Sequence, residues 1–145
     1  MIYIIVALKA EAQAFIDKKI DAKIIISGIG ANNMKEATQK IIKHMSKDDK
    51  LLNVGICGAS KEYKIGQLID GFEEEITCVD EAVSDKNKYK IVDMESSGFI
   101  KSSLHVENRY IFKVVSDHFE PQTVTKDGAK KLIFDKIDEI MEKIK

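Results

Sequence analysis

The sequence predicts an α/β fold, with one mostly parallel sheet and helices packed on both of its faces. Three observations carry that expectation. Continuous apolar, β-branched runs such as Ile2-Tyr3-Ile4-Ile5-Val6-Ala7 mark strands buried on both faces, since a half-exposed strand would alternate apolar and polar residues. These runs alternate with segments whose apolar residues recur at helical spacing. The length of 145 residues, with 44% apolar and 32% charged side chains, suits one domain with a buried core and leaves no room for a second.

The elements follow in order. After the first run, Lys9 to Lys18 places Ala10, Ala14 and Phe15 at helical spacing. Residues 23–27 read as a second buried strand, stopped by Gly28-Ile29-Gly30. A helix from about Asn32 or Asn33 carries Met34, Ala37, Ile41, Ile42 and Met45 on one face, and Asn33 with Glu36 resembles a capping box. Leu51–Ile56 is the third strand, running into Gly55-Ile56-Cys57-Gly58. Weaker strands are expected near Gln67–Ile69, Ile76–Val79 and Lys90–Val92. After Asp93-Met94-Glu95 a helix extends to about His105 with Phe99, Ile100 and Leu104 inward, and Tyr110–Val115 is the last strand. Pro121, the only proline, lies in the loop beyond it. Thr125 then opens one C-terminal helix, where Leu132, Ile133, Ile137, Ile140, Met141 and Ile144 form a stripe of 3.6-residue period.

Charge excludes several classes of function. Twenty-three basic and 24 acidic side chains leave a formal net charge of −1, with no global drive toward nucleic acid or an anionic membrane. Arg109 is the only arginine, which excludes mechanisms built on an arginine cluster. No apolar run approaches the roughly 20 residues of a membrane span. The Met1–Leu8 run is too short for a secretion signal, because Lys9 and Glu11 follow at once. Cys57 and Cys78 lack metal-pair spacing and read as two buried free thiols. A soluble cytoplasmic protein without metal or cofactor is expected.

In sheets of this kind ligands bind outside the carboxyl ends of the strands. The segments there are Leu8–Glu11, Ser27–Gly30, Ile56–Ser60, Asp93–Glu95 and Ser116–His118. Ser27-Gly28-Ile29-Gly30 is not a dinucleotide fingerprint, because Asn33 stands where a third glycine belongs; its glycines read as a tight strand-to-helix turn. Three carboxylates are more informative: Glu11, Glu95 and Asp117. Each alone could serve a helix N-terminus, where the macrodipole favours acids. Converging on one sheet edge, they point to acid/base chemistry on an uncharged, hydroxyl-rich substrate.

These residues also carry a resemblance. Ala7-Leu8-Lys9-Ala10-Glu11-Ala12 resembles the opening signature of the purine nucleoside phosphorylase / methylthioadenosine–adenosylhomocysteine nucleosidase superfamily. The likeness continues through Ser27-Gly28-Ile29-Gly30, Asn53-Val54-Gly55-Ile56-Cys57-Gly58-Ala59, Gly66-Gln67-Leu68-Ile69, Val92-Asp93-Met94-Glu95-Ser96 and Val114-Val115-Ser116-Asp117, in the order of the family. It implies a three-layer α/β/α sandwich, nucleoside phosphorylase-like but truncated, forming a single domain over residues 1–145. It implies roles as well. Glu11 matches the acid that activates water in the hydrolytic branch, and Asp117 the acid that protonates a purine at N7. Glu95 matches the carboxylate that holds the ribose hydroxyls, with Met94 against the sugar. Asp93, Ser116, Ile56, Lys113 and Gly28 complete the expected substrate contacts. The implied partner is a small nucleoside or purine base, and homodimerisation is implied too.

Three departures refine the likeness. The phosphorolytic branch holds phosphate with an arginine and a hydroxyl, but here Asn53 and Ile56 stand in those places, and Lys113 replaces a common arginine with a point charge. Hydrolysis is therefore expected over phosphorolysis. The chain is shorter than relatives between Ile69 and Asp93, the part that encloses the base and contributes to the dimer, so the enclosure of the pocket and its stacking aromatics are at stake. His118 follows Asp117 directly and reads as a structural hydrogen-bonding residue or a substrate contact. The alternative to an enzyme is a nucleoside- or base-binding or interaction module that kept this fold without catalysis.

Overall fold

The apolar N-terminal run becomes β1 (Ile2–Val6), in which Ile4, Ile5 and Val6 are completely buried. The computed structural model describes residues 1–145 and places β1 inside a seven-stranded sheet. β1 runs parallel to β2 (Lys23–Ile26) on one side and to the first half of β3 (Lys50–Ala59) on the other. β3 pairs in parallel with β7 (Arg109–Asp117) along most of its length. Three short strands complete the sheet. β4 (Leu68–Asp70) lies antiparallel on β7, β6 (Ile91–Asp93) antiparallel on the end of β3, and β5 (Thr77–Cys78) parallel to β6.

The period of two along the strands divides the core between two layers of helix. Ile4 and Val6 point toward α1 (Lys9–Asp17), α4 (Lys126–Phe134) and α5 (Ile137–Lys143), meeting Phe15, Phe112, Ile133 and Ile140. Tyr3 and Ile5 point the other way, toward α2 (Ala31–Ile42) and α3 (Ser96–Ser102), meeting Met34, Phe99 and Ile111. The three-layer α/β/α arrangement with a mostly parallel sheet is thus present.

Five local expectations are corrected. β2 is not a buried strand: it pairs only with β1, so it lies at the sheet edge and Ile26 is 48% exposed. The Asn33–Glu36 capping box does not form, because α2 starts at Ala31 behind Gly30; Asn33 instead donates from its side-chain amide to the Ile29 carbonyl. α3 stops at Ser102, so Leu104 lies beyond it and is exposed rather than inward. The C-terminal segment is two helices, since the chain tightens at Asp135–Lys136 where the Lys136 N–H turns to the Ile133 carbonyl. The apolar stripe survives that break, with Ile133, Ile137, Ile140 and Ile144 all buried. Of the two free thiols only Cys57 is buried; Cys78 is half-exposed. Thr125 does open α4, accepting a hydrogen bond from Gly128 N at 2.9 Å. No helix is long and apolar enough to cross a membrane.

Candidate active site

A cavity of about 190 Å³ opens at the carboxyl ends of β1, β3 and β7, and Glu11, Glu95 and Asp117 all line it. Each carboxylate is fixed by the start or end of an element.

α1 begins three residues after β1, which folds the Glu11 side chain back over the strand end. Its Oε1 accepts from Leu8 N at 2.9 Å and Ala7 N at 3.1 Å, and its Oε2 from Ile56 N at 3.1 Å. The residue is 2% exposed. Burial pushes its carboxyl up to about 7 and Glu95 adds to the rise, against the opposing pull of Lys113 and the amides of Leu8 and Ile56.

Glu95 precedes α3 and accepts from Gly30 N at 2.8 Å through Oε2, which ties the α3 start to the α2 start. Gly30 has φ +101° and Gly28 φ +90°, so glycine is what lets this turn present its amide to Glu95. Asp117 closes β7. Its Oδ1 accepts from Ser116 Oγ at 2.6 Å and its Oδ2 from Glu120 N at 2.9 Å. That last bond exists because Phe119 takes a left-handed conformation (φ +61°) with its ring buried. A conformation uncommon for so large a residue is held here by packing, next to the Asp117 carboxylate.

Among the other expected substrate contacts, Met94, Asp93, Ser116 and Ile56 also line the cavity. Lys113 and Gly28 do not. Lys113 is completely buried beneath the floor, with Nζ 3.0 Å from Asp93 Oδ2. His118 stands outside the lining, with Nδ1 3.1 Å from the Ala59 carbonyl.

The lining role of one group of aliphatic residues was not read from the sequence. Val79, Ala82 and Val83, from the segment after β5, and Pro121 and Val124, from the loop after β7, line the same cavity. Small aliphatic residues in loops carry no periodic signal, and only the single proline marked this loop. No aromatic side chain lines the cavity, and neither does any lysine, arginine or histidine. No group of three or more His, Cys, Asp or Glu side chains is placed to hold a metal ion.

No protein-family model matches the sequence, and no curated protein matches it by sequence. Solved structures do match in shape. The 5′-methylthioadenosine/S-adenosylhomocysteine nucleosidase from Neisseria meningitidis, in complex with methylthio-immucillin-A, superimposes with TM-score 0.77 at 15% identity, covering 99% of this chain and 97% of that one. The corresponding nucleosidase from Helicobacter pylori, with butyl-thio-DADMe-Immucillin-A, gives TM-score 0.78 at 12% identity, covering 99% and 96%. Futalosine hydrolase of Helicobacter pylori gives TM-score 0.69 at 15% identity, covering 95% and 97%. The alignments run nearly end to end in both chains, although 145 residues is short relative to their full length. With its sheet order, its two helical layers and these superpositions, the chain shares the fold of these solved nucleoside hydrolases.

Proposed function

We propose that this protein hydrolyses the N-glycosidic bond of a purine nucleoside. One observation carries the reading: Glu11, Glu95 and Asp117, drawn from three separate stretches of chain, meet in one cavity at the strand ends of a nucleosidase fold. N-glycosidic cleavage passes through an oxocarbenium-like transition state, which needs a proton at the departing base, negative potential near the sugar and a positioned nucleophile.

The three acids divide that work. Glu11, poised at about 7, takes a proton from water while the water oxygen forms a bond to C1′. The C1′–N9 bond breaks and its electron pair moves into the base. Asp117 delivers a proton to N7, so the base leaves neutral. Its Oδ1 shares Ser116 Oγ with the Cys57 carbonyl, 3.1 Å away. Glu95 keeps one oxygen for the ribose hydroxyls while Gly30 holds the other, and Met94 lies beside it at the sugar.

Water is favoured over phosphate as nucleophile, since no cationic side chain lines the cavity. The experiment is free-base release from adenosine, inosine and 5′-methylthioadenosine, with and without inorganic phosphate. Ribose or its 5′-substituted form, at a rate independent of phosphate, is the expected product; a sugar 1-phosphate would overturn hydrolysis. Ile56, an aliphatic side chain in the cavity where the sequence likeness expects a hydroxyl, favours a second reading, a base- or nucleoside-binding module. Calorimetric binding of a free purine, with no cleavage of any nucleoside in the panel, would select it.

A further inference from the structure

The cation nearest the reacting groups stands outside the cavity. Lys113 lies within β7, completely buried and paired with Asp93 Oδ2 at 3.0 Å. Beyond that ion pair its Nζ has no hydrogen-bond partner, so what it offers Glu11 is charge. In the β3–β7 ladder Lys113 is opposite Gly55. A Cβ on Gly55 would lie 3.1 Å from Glu11 Oε2 and 3.3 Å from Lys113 Nζ. The carboxylate and the ammonium therefore face one another across a gap that exists because residue 55 has no side chain.

Building on the hydrolase reading, we propose that Lys113 is a positioning residue. Held by Asp93 under the cavity floor, it acts on Glu11 through the gap at Gly55 and keeps that carboxylate available as a base, without touching substrate.

The surrounding charges are consistent with this role. Glu11 is faced by Lys113 from β7 and by Glu95 from the β6–α3 junction, and Lys113 is faced by Asp93, Glu95 and Glu11. Asp117 and the Cys57 thiol complete the cluster, and burial pushes that thiol far up so that it stays neutral. Burial works to lower Lys113, but the carboxylates of Asp93, Glu95 and Glu11 outweigh it and raise it, so the ammonium stays charged. After burial itself, Lys113 is the largest influence on Glu11, and it acts in the opposite direction.

The test follows Glu11 directly, by the carbon-13 shift of its side-chain carboxyl against pH in protein labelled at glutamate, with the signal assigned by its loss in Glu11→Gln. Lys113→Met combined with Asp93→Asn removes both buried charges together, which avoids stranding one of them. The Glu11 midpoint, near 7 in the parent, is expected to rise by about one unit in Lys113→Met and by less in the paired exchange, where loss of the Asp93 charge partly offsets it. The acidic limb of the kcat/KM profile for base release should move with it, and Lys113→Arg should restore both. Lys113→Met alone gives the same direction and serves if the paired exchange does not fold. An unmoved midpoint overturns the proposal. A midpoint that moves in a protein that cleaves no nucleoside upholds the Lys113–Glu11 coupling and removes the hydrolase reading. Cleavage that depends on Glu11 with an unmoved midpoint does the reverse.

Discussion

Glu11 is folded at a thermodynamic cost. Its folded carboxyl is raised to about 7 from 4.5, so the native state holds the proton more tightly than the unfolded chain. Stability is therefore lost as pH rises from about 4.5 through 7, and the loss is complete above that range. Relative to the parent, Glu11→Gln should gain about 2 kcal/mol between about pH 5.5 and about pH 8, measured by urea unfolding at both values. A difference that shrinks with pH would show that Glu11 is not the strained group. The trade is typical of active sites, where a residue that weakens the fold is kept for its chemistry. Glu11, Glu95 and Asp117 were legible in the sequence because each adjoins a strand end, a position readable from the apolar runs. Lys113 was read as a substrate contact and is not in the cavity lining. A sequence places it on a strand, but whether its side chain meets ligand or lies beneath the floor depends on packing against Asp93 and Gly55.

At the scale of elements, the site depends on how closely α2 and α3 cross. A Cβ on Gly98 would run into the Ala31 carbonyl, so Gly98→Ala must push the two helix starts apart. Overpacking against backbone should cost about 3 kcal/mol. It should also lengthen the Gly30–Glu95 hydrogen bond, raising KM for nucleoside through the proposed ribose contact of Glu95. Thr125→Ala is the contrasting case. It removes the α4 cap, a hydrogen bond that involves none of the cavity carboxylates, and should cost about 1 kcal/mol in denaturant unfolding with kcat and KM changed little. The existence and order of the elements were readable from apolar periodicity, and the Thr125 cap from residue type. Their ends were less so. Gly30 displaced the expected Asn33 cap by supplying a positive-φ turn, and the break at Asp135–Lys136 leaves no mark because the apolar stripe continues across it.

Across the whole molecule, the sheet gathers acids at one edge and leaves the cations elsewhere. Four carboxylates line the cavity, Glu11, Asp93, Glu95 and Asp117, and Lys113 is the buried partner of one of them. A growing positive charge on the sugar is favoured there and an anionic nucleophile is not. Millimolar phosphate should accordingly leave the rate of base release unchanged, as followed by ultraviolet absorbance; acceleration by phosphate would point to a cationic site elsewhere. The parallel sheet and its two helical layers were legible because apolar runs and helical stripes alternate along the chain. The aliphatic lining of Val79, Ala82, Val83, Pro121 and Val124 was not, since these residues come from two stretches far apart in sequence that only the fold brings to one cavity.

Catalysis by Glu11 and Asp117 in one cavity underlies the proposed hydrolysis. It is tested most directly by the rate of free-base release from 5′-methylthioadenosine and adenosine in phosphate-free buffer, measured for the parent, Glu11→Gln and Asp117→Asn. Release by the parent, reduced at least about 100-fold in each variant, is the expected result. No release by the parent, or release unchanged in both variants, would contradict it.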